Sequence, residues 1–119
     1  LYSGHFIKDR PDVARRFMIA YLQGVRFYRG ACKDGKLAGP NADEMIDILL
    51  KETKVKDPAI YRAVTPNGCD PDGHLTMPSL EKDFAFFKDR DLLTGSIKVA
   101  DVVDTSFVEE ALKVLGTHK

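Results

Sequence analysis

Between Pro11 and Ala31 apolar residues recur every three or four positions: Val13, Phe17, Ala20, Tyr21, Gly24, Val25 and Tyr28 make one continuous stripe. Asp12, Arg16, Gln23 and Arg26 fall on another face, and Ala14, Met18 and Leu22 widen the apolar sector. Ile19 interrupts even the polar face. Pro11 suits a first helical turn, where its missing N–H would have no partner anyway. The pattern predicts a helix over 11–31 whose apolar stripe is covered, and covered on more than one side.

The punctuation after it predicts four further helices. Lys33-Asp34-Gly35-Lys36 breaks the first helix, and Gly39-Pro40 ends the connector. Asn41 with Glu44 three residues later reads as a capping box, followed by a buried face of Met45, Ile46, Leu49 and Leu50. Asp57-Pro58 is the next cap and first-turn pair; its short helix points Tyr61 and Val64 inward and stops at Pro66-Asn67-Gly68. A fourth helix after Pro78 carries Leu80, Phe84 and Phe87 on one side. Asp104-Thr105-Ser106 caps the last, with Phe107, Val108, Ala111, Leu112 and Leu115 as its stripe and Gly116 as its stop. Only 1–3 and 97–99 read as short strands. The expectation is an all-α fragment of about five helices, one domain over 1–119.

Composition narrows the function classes. A chain of 119 residues can bury a core without staples. Its 18 basic and 18 acidic residues cancel, which argues against nucleic acid or an anionic membrane as partner. No apolar run approaches the length of a membrane span. The opening Leu1-Tyr2-Ser3-Gly4 lacks an initiator Met and reads like the tail of a strand, so the chain is expected to be a piece of a longer protein.

Asp70-Pro71-Asp72-Gly73-His74 is the stretch that most resembles chemistry. With Gly73 at the sixth position of a calcium loop, Asp70 and Asp72 fall at the third and fifth, as they should. The first position is then Gly68 and the twelfth Ser79, neither a carboxylate, and Glu81 lies too far along. The carboxylates of the first and twelfth positions are missing, so the stretch reads as a turn. Elsewhere there is no phosphate loop and no paired-histidine motif. His5, His74 and His118 lie in terminal or turn segments, and Cys32 and Cys69 are not spaced as metal ligands. A Cys32–Cys69 disulfide is open if the parent is exported. The aromatic group Phe84, Phe86 and Phe87 reads as core packing. No catalytic residue, metal or cofactor is expected.

The order of the pieces carries a resemblance. FIKDRPDVARRFMIAYLQGVR (6–26) resembles the long helix near the C-terminal end of ABC-transporter substrate-binding proteins, in the branch for nitrate, taurine, aliphatic sulfonates and thiamine-pyrimidine precursors. DPDG (70–73) with Ser79-Leu80-Glu81 resembles the turn and helix that follow, and VVDTSFVEEA (102–111) the closing segment. The resemblance implies a two-lobed periplasmic-binding-protein fold (type II) in the parent, of which this is the C-terminal part of the first lobe. It implies a small anionic or heterocyclic solute held between the lobes, a membrane permease as partner, and a periplasmic or extracytoplasmic location. Tyr2, Ser3 and Gly4, next to the long helix, are then the cleft-edge candidates for ligand binding, with plain hinge backbone as the alternative. Two other functions stay open: part of a pyrimidine-precursor synthase-like enzyme of thiamine biosynthesis, and a helical interaction module. The broad apolar girth of the long helix also predicts a homo-oligomer.

Overall fold

The computed structural model describes residues 2–119. Six α-helices dominate, with one two-stranded ribbon and one turn of 3-10 helix among the described residues. The all-α expectation holds; the helix count and several faces differ.

The strand expected at 1–3 is not formed at Tyr2 or Ser3; the first helix, α1 (Gly4–Asp9), begins directly after them. Ser3 is its N-cap and its Oγ accepts from the Phe6 amide at 3.1 Å, which supplies a partner for one of the donors that a helix start leaves unpaired. Leu1 lies outside the described residues. The helix stops at Arg10 because the ring of Pro11 disfavours helical backbone in the residue before it; Arg10 sits at φ −138° and ψ 53°. Helix α2 (Pro11–Ala31) then begins on Pro11 and runs 21 residues, with Asp12 in its first turn and Arg29 in its last, each suited to the helix dipole.

Two antiparallel residue pairs, β1 (Cys32–Lys33) and β2 (Lys36–Leu37), follow across Asp34-Gly35. Both turn residues have positive φ, 50° and 71°, the twist that favours Asp-Gly in a tight hairpin. Helix α3 (Ala42–Glu52) starts after Asn41, but the capping box is not made. Asn41 instead donates from Nδ2 to the Phe27 carbonyl at 2.8 Å, tying α3 to α2. Ala31, Leu37, Ala42, Met45 and Ile46 form a buried cluster, with Phe27, Tyr28, Leu49, Leu50 and Tyr61 packed around it.

Helix α4 (Pro58–Ala63) is capped as expected, Asp57 accepting from the Ala59 amide at 2.9 Å. It ends before Val64, which is exposed rather than inward. Helix α5 (Met77–Lys88) buries no residue fully and leaves Phe86 and Phe87 exposed. Its packing is against the 3-10 turn Val99–Asp101, which replaces the strand expected at 97–99. An arm so lightly packed extends the molecule: the radius of gyration is 17.3 Å, against roughly 13–14 Å for a compact domain of this length.

Helix α6 (Ser106–Leu115) closes the fold and returns along α2. Ala14 and Leu22 of α2 and Ala111 of α6 are fully buried there. This contact fixes which face of α2 looks inward, and it is not the expected one. Val13, Phe17 and Tyr21 remain 39%, 57% and 55% exposed. The residues expected only to widen the apolar sector, Ala14 and Leu22, form the seam.

Candidate functional site

Among the described residues the densest polar contact is built on Arg26, a residue that helical periodicity places on the solvated face. Its Nε donates to the Pro71 carbonyl at 3.0 Å, and its Nη2 to Asp72 Oδ1 at 2.7 Å and the Gly116 carbonyl at 2.6 Å. The Arg26 and Asp72 side chains are only 17% and 13% exposed. One guanidinium therefore joins the long helix, the 70–73 turn and the end of α6. Nothing in helical periodicity signals this; the only cue is a turn carboxylate that needs a partner.

The Asp70–His74 turn is organised from within. The Gly73 amide donates to the Asp70 carbonyl at 3.0 Å, and Asp70 Oδ1 accepts from the amides of Asp72 and His74. Those two amides, His74 first, hold the Asp70 carboxyl below the usual carboxylate range. Asp72 is held low too, first by the His118 amide at 2.8 Å and then by Arg26, against the opposing effect of burial. Gly73 has φ 74°, and a Cβ there would stand 2.8 Å from Leu22 Cδ2. The turn is thus a wedge seated on the α2–α6 seam. Among the described residues no group of three or more His, Cys, Asp and Glu side chains is placed to hold a metal ion. Calcium should show no saturable binding by calorimetry at submillimolar concentration; heat that saturates there and vanishes in Asp72→Ala would refute the turn reading.

The lowered carboxyl of Asp72 has a consequence for acid stability. A carboxyl whose folded-state pKa is depressed stabilises the fold above its ordinary pKa and loses that contribution as pH falls through the depressed value. Melting temperature should fall below about pH 4. Arg26→Met should lower it by about 5–10 °C at neutral pH and shrink, without abolishing, the acid-induced fall, since Asp70 and Asp104 are also held low. Thermal melts of both proteins across pH 2–7 check this; an unchanged acid slope would mean Arg26 does not hold Asp72.

Tyr2, Ser3 and Gly4, the cleft-edge candidates, are placed together at the start of α1. Ser3 is occupied as a cap. Tyr2 is half-buried, donates to the Ala14 carbonyl at 2.8 Å, and meets Phe6, Phe17 and Phe107 edge-on at centroid distances of 5.3, 6.0 and 5.4 Å. Gly4 faces open space. Ser3 and Tyr2 thus hold the start of α1 in place.

Two concavities lie elsewhere. One, of about 150 Å³, sits between α5 and the 93–99 segment, with apolar walls from Phe84, Leu93, Ile97 and Val99 and with Lys88 and Lys98 at its sides. The other, about 210 Å³, lies where the end of α2 meets 66–68 and is lined by Arg29, Cys32 and Asn67 among others. Neither is lined by a histidine. No helix among the described residues is long and apolar enough to cross a membrane. Comparison with family models, with curated proteins and with solved structures finds no match to this chain.

Proposed function

We propose that this chain is the C-terminal, mainly helical part of a solute-binding component of an ABC import system. It would capture a small anionic or heterocyclic solute outside the cytoplasm and deliver it to a membrane permease, without catalysing a reaction. The observation that carries the reading is the ordered trio of segments, 6–26, 70–73 and 102–111, that resembles the end of such proteins. Their packing supports treating the trio as one unit. Arg26 of the first holds Pro71 and Asp72 of the second, and Arg15 of the first donates to Glu110 of the third at 2.6 Å. Tyr2, Ser3 and Gly4 would border the solute, with most of its contacts made by another part of the parent.

A cleft between two lobes buries most of a small ligand, and one segment cannot supply both walls. Calorimetry should therefore find no micromolar binding of nitrate, taurine, an alkanesulfonate or an aminopyrimidine to this chain alone. The full-length protein should bind one of them at micromolar affinity and leave it chemically unchanged. Turnover of the bound compound would favour the synthase-like reading instead, and micromolar binding by this chain alone would remove the two-lobe premise.

A second copy is the proposed partner for the exposed Val13, Phe17 and Tyr21 face, since apolar patches of more than a few hundred Å² seldom stay bare. Sedimentation equilibrium should show mass rising with concentration; a constant monomer mass at micromolar protein counts against it.

A further inference from the structure

Cys32 and Cys69 are 37 positions apart in the chain, yet the fold gathers their surroundings at one place. Cys32 follows the last residue of α2 and opens the ribbon, with its Sγ donating to the Tyr28 carbonyl at 3.4 Å. The Tyr28 hydroxyl reaches the other way and donates to the Asn67 carbonyl at 3.2 Å, two residues before Cys69. Burial, and then the Cys32 and Cys69 thiols, push the Tyr28 phenol up. Arg29 and Cys32 line the 210 Å³ concavity together with Asn67 and Gly68, the residue before Cys69. Both thiols are free and half-buried. Burial, and then the neighbouring Cys32, push the Cys69 thiol up, while Arg29 acts in the opposite sense.

We propose that Cys32 and Cys69 are a redox pair that closes to an intramolecular disulfide, tethering the segment before the Asp70–His74 turn to the end of the long helix. The oxidant is a disulfide compound, small-molecule or protein-borne. One cysteine thiolate attacks a sulfur of that disulfide, breaks its S–S bond and expels a thiolate, leaving a mixed disulfide. The second cysteine thiolate then attacks the protein sulfur of the mixed disulfide and expels the other thiolate. The two protons given up by the cysteines end on the two released thiols, so two protein thiols and one disulfide become one protein disulfide and two thiols. Closing the bridge gives up the weak Cys32 S–H contact with Tyr28 and cross-links a loop long enough to restrict the unfolded chain strongly.

The bridge is a property of this chain and does not depend on the solute-binding reading: a full-length protein that binds no solute while Cys32 and Cys69 still close the bridge refutes that reading and keeps this one. Oxidised glutathione is the probe. The folded chain is incubated with it, alkylated, and weighed intact, then digested without reduction. The expected product has lost two hydrogens, takes up no alkyl group or glutathione, and yields one peptide pair joining Cys32 to Cys69. Cys32→Ser and Cys69→Ser should each stop at one glutathione adduct. Two glutathione adducts on the unsubstituted chain, two thiols that remain fully alkylated, or cross-linking only between chains would each overturn the proposal.

Discussion

Gly39→Ala should lower stability by about 3–5 kcal/mol. A Cβ on Gly39 would lie 2.1 Å from the Gly30 carbonyl oxygen and 2.8 Å from the Ala31 carbonyl carbon. Both are backbone atoms at the end of α2, so no side-chain rotation relieves the overlap. The chain must instead move away, and what it then loses is specific. The Gly39 amide donates to the Ala31 carbonyl at 2.8 Å, which satisfies one of the acceptors a helix end leaves open. Leu37 and Ala42, on either side, are buried in the cluster with Ala31, Met45 and Ile46. Gly24→Ala supplies the contrast. Gly24 is exposed and lies inside α2, and a Cβ added there would meet nothing within 4 Å. Removing backbone freedom there should raise stability by about 0.5–1 kcal/mol. Urea unfolding of the two variants checks both signs; equal effects would mean that the close approach at Gly39 is absent.

Punctuation is the most legible part of the fold. Pro11, Asp57-Pro58 and Gly116 mark helix boundaries found where expected, because each acts through its own backbone. The ribbon is also written, in Asp34-Gly35, but four residues of pairing leave too little alternation to detect. Helix α1 is six residues long, too short for periodicity to register, and its Ser3 cap is the one local sign of it. Asn41 shows the opposite failure. Its capping pattern is present, yet the side chain turns to the Phe27 carbonyl, a partner distant in sequence. The candidate site is least legible for the same reason. Arg26, Asp72, Gly116 and His118 meet only through tertiary structure, so spacing along the chain says nothing of them.

Which face of α2 is buried has the largest single consequence. Leu22→Ala should destabilise by about 3–5 kcal/mol, while Tyr21→Ser, one residue away, should change stability by under about 1 kcal/mol. The sequence pattern alone would rank these the other way, since tyrosine is the larger side chain and belongs to the longer apolar stripe. Leu22 is 0% exposed and Tyr21 55%. The reason lies in what α6 brings. Its seam presents Ala111 and Val108 against the Ala14 and Leu22 side of α2, and Gly73 is wedged between Leu22 and Val108 with no room for a side chain. A cavity at Leu22 would therefore open between three segments held by the Arg26 contacts, and those contacts limit how far the walls can collapse. Restricted collapse is what places a leucine deletion at the upper end of its range. Urea midpoints at constant m-value measure the difference. If Tyr21→Ser proved the more damaging, the Val13, Phe17 and Tyr21 stripe would be the buried face, and α6 would have to pack on the other side of the helix.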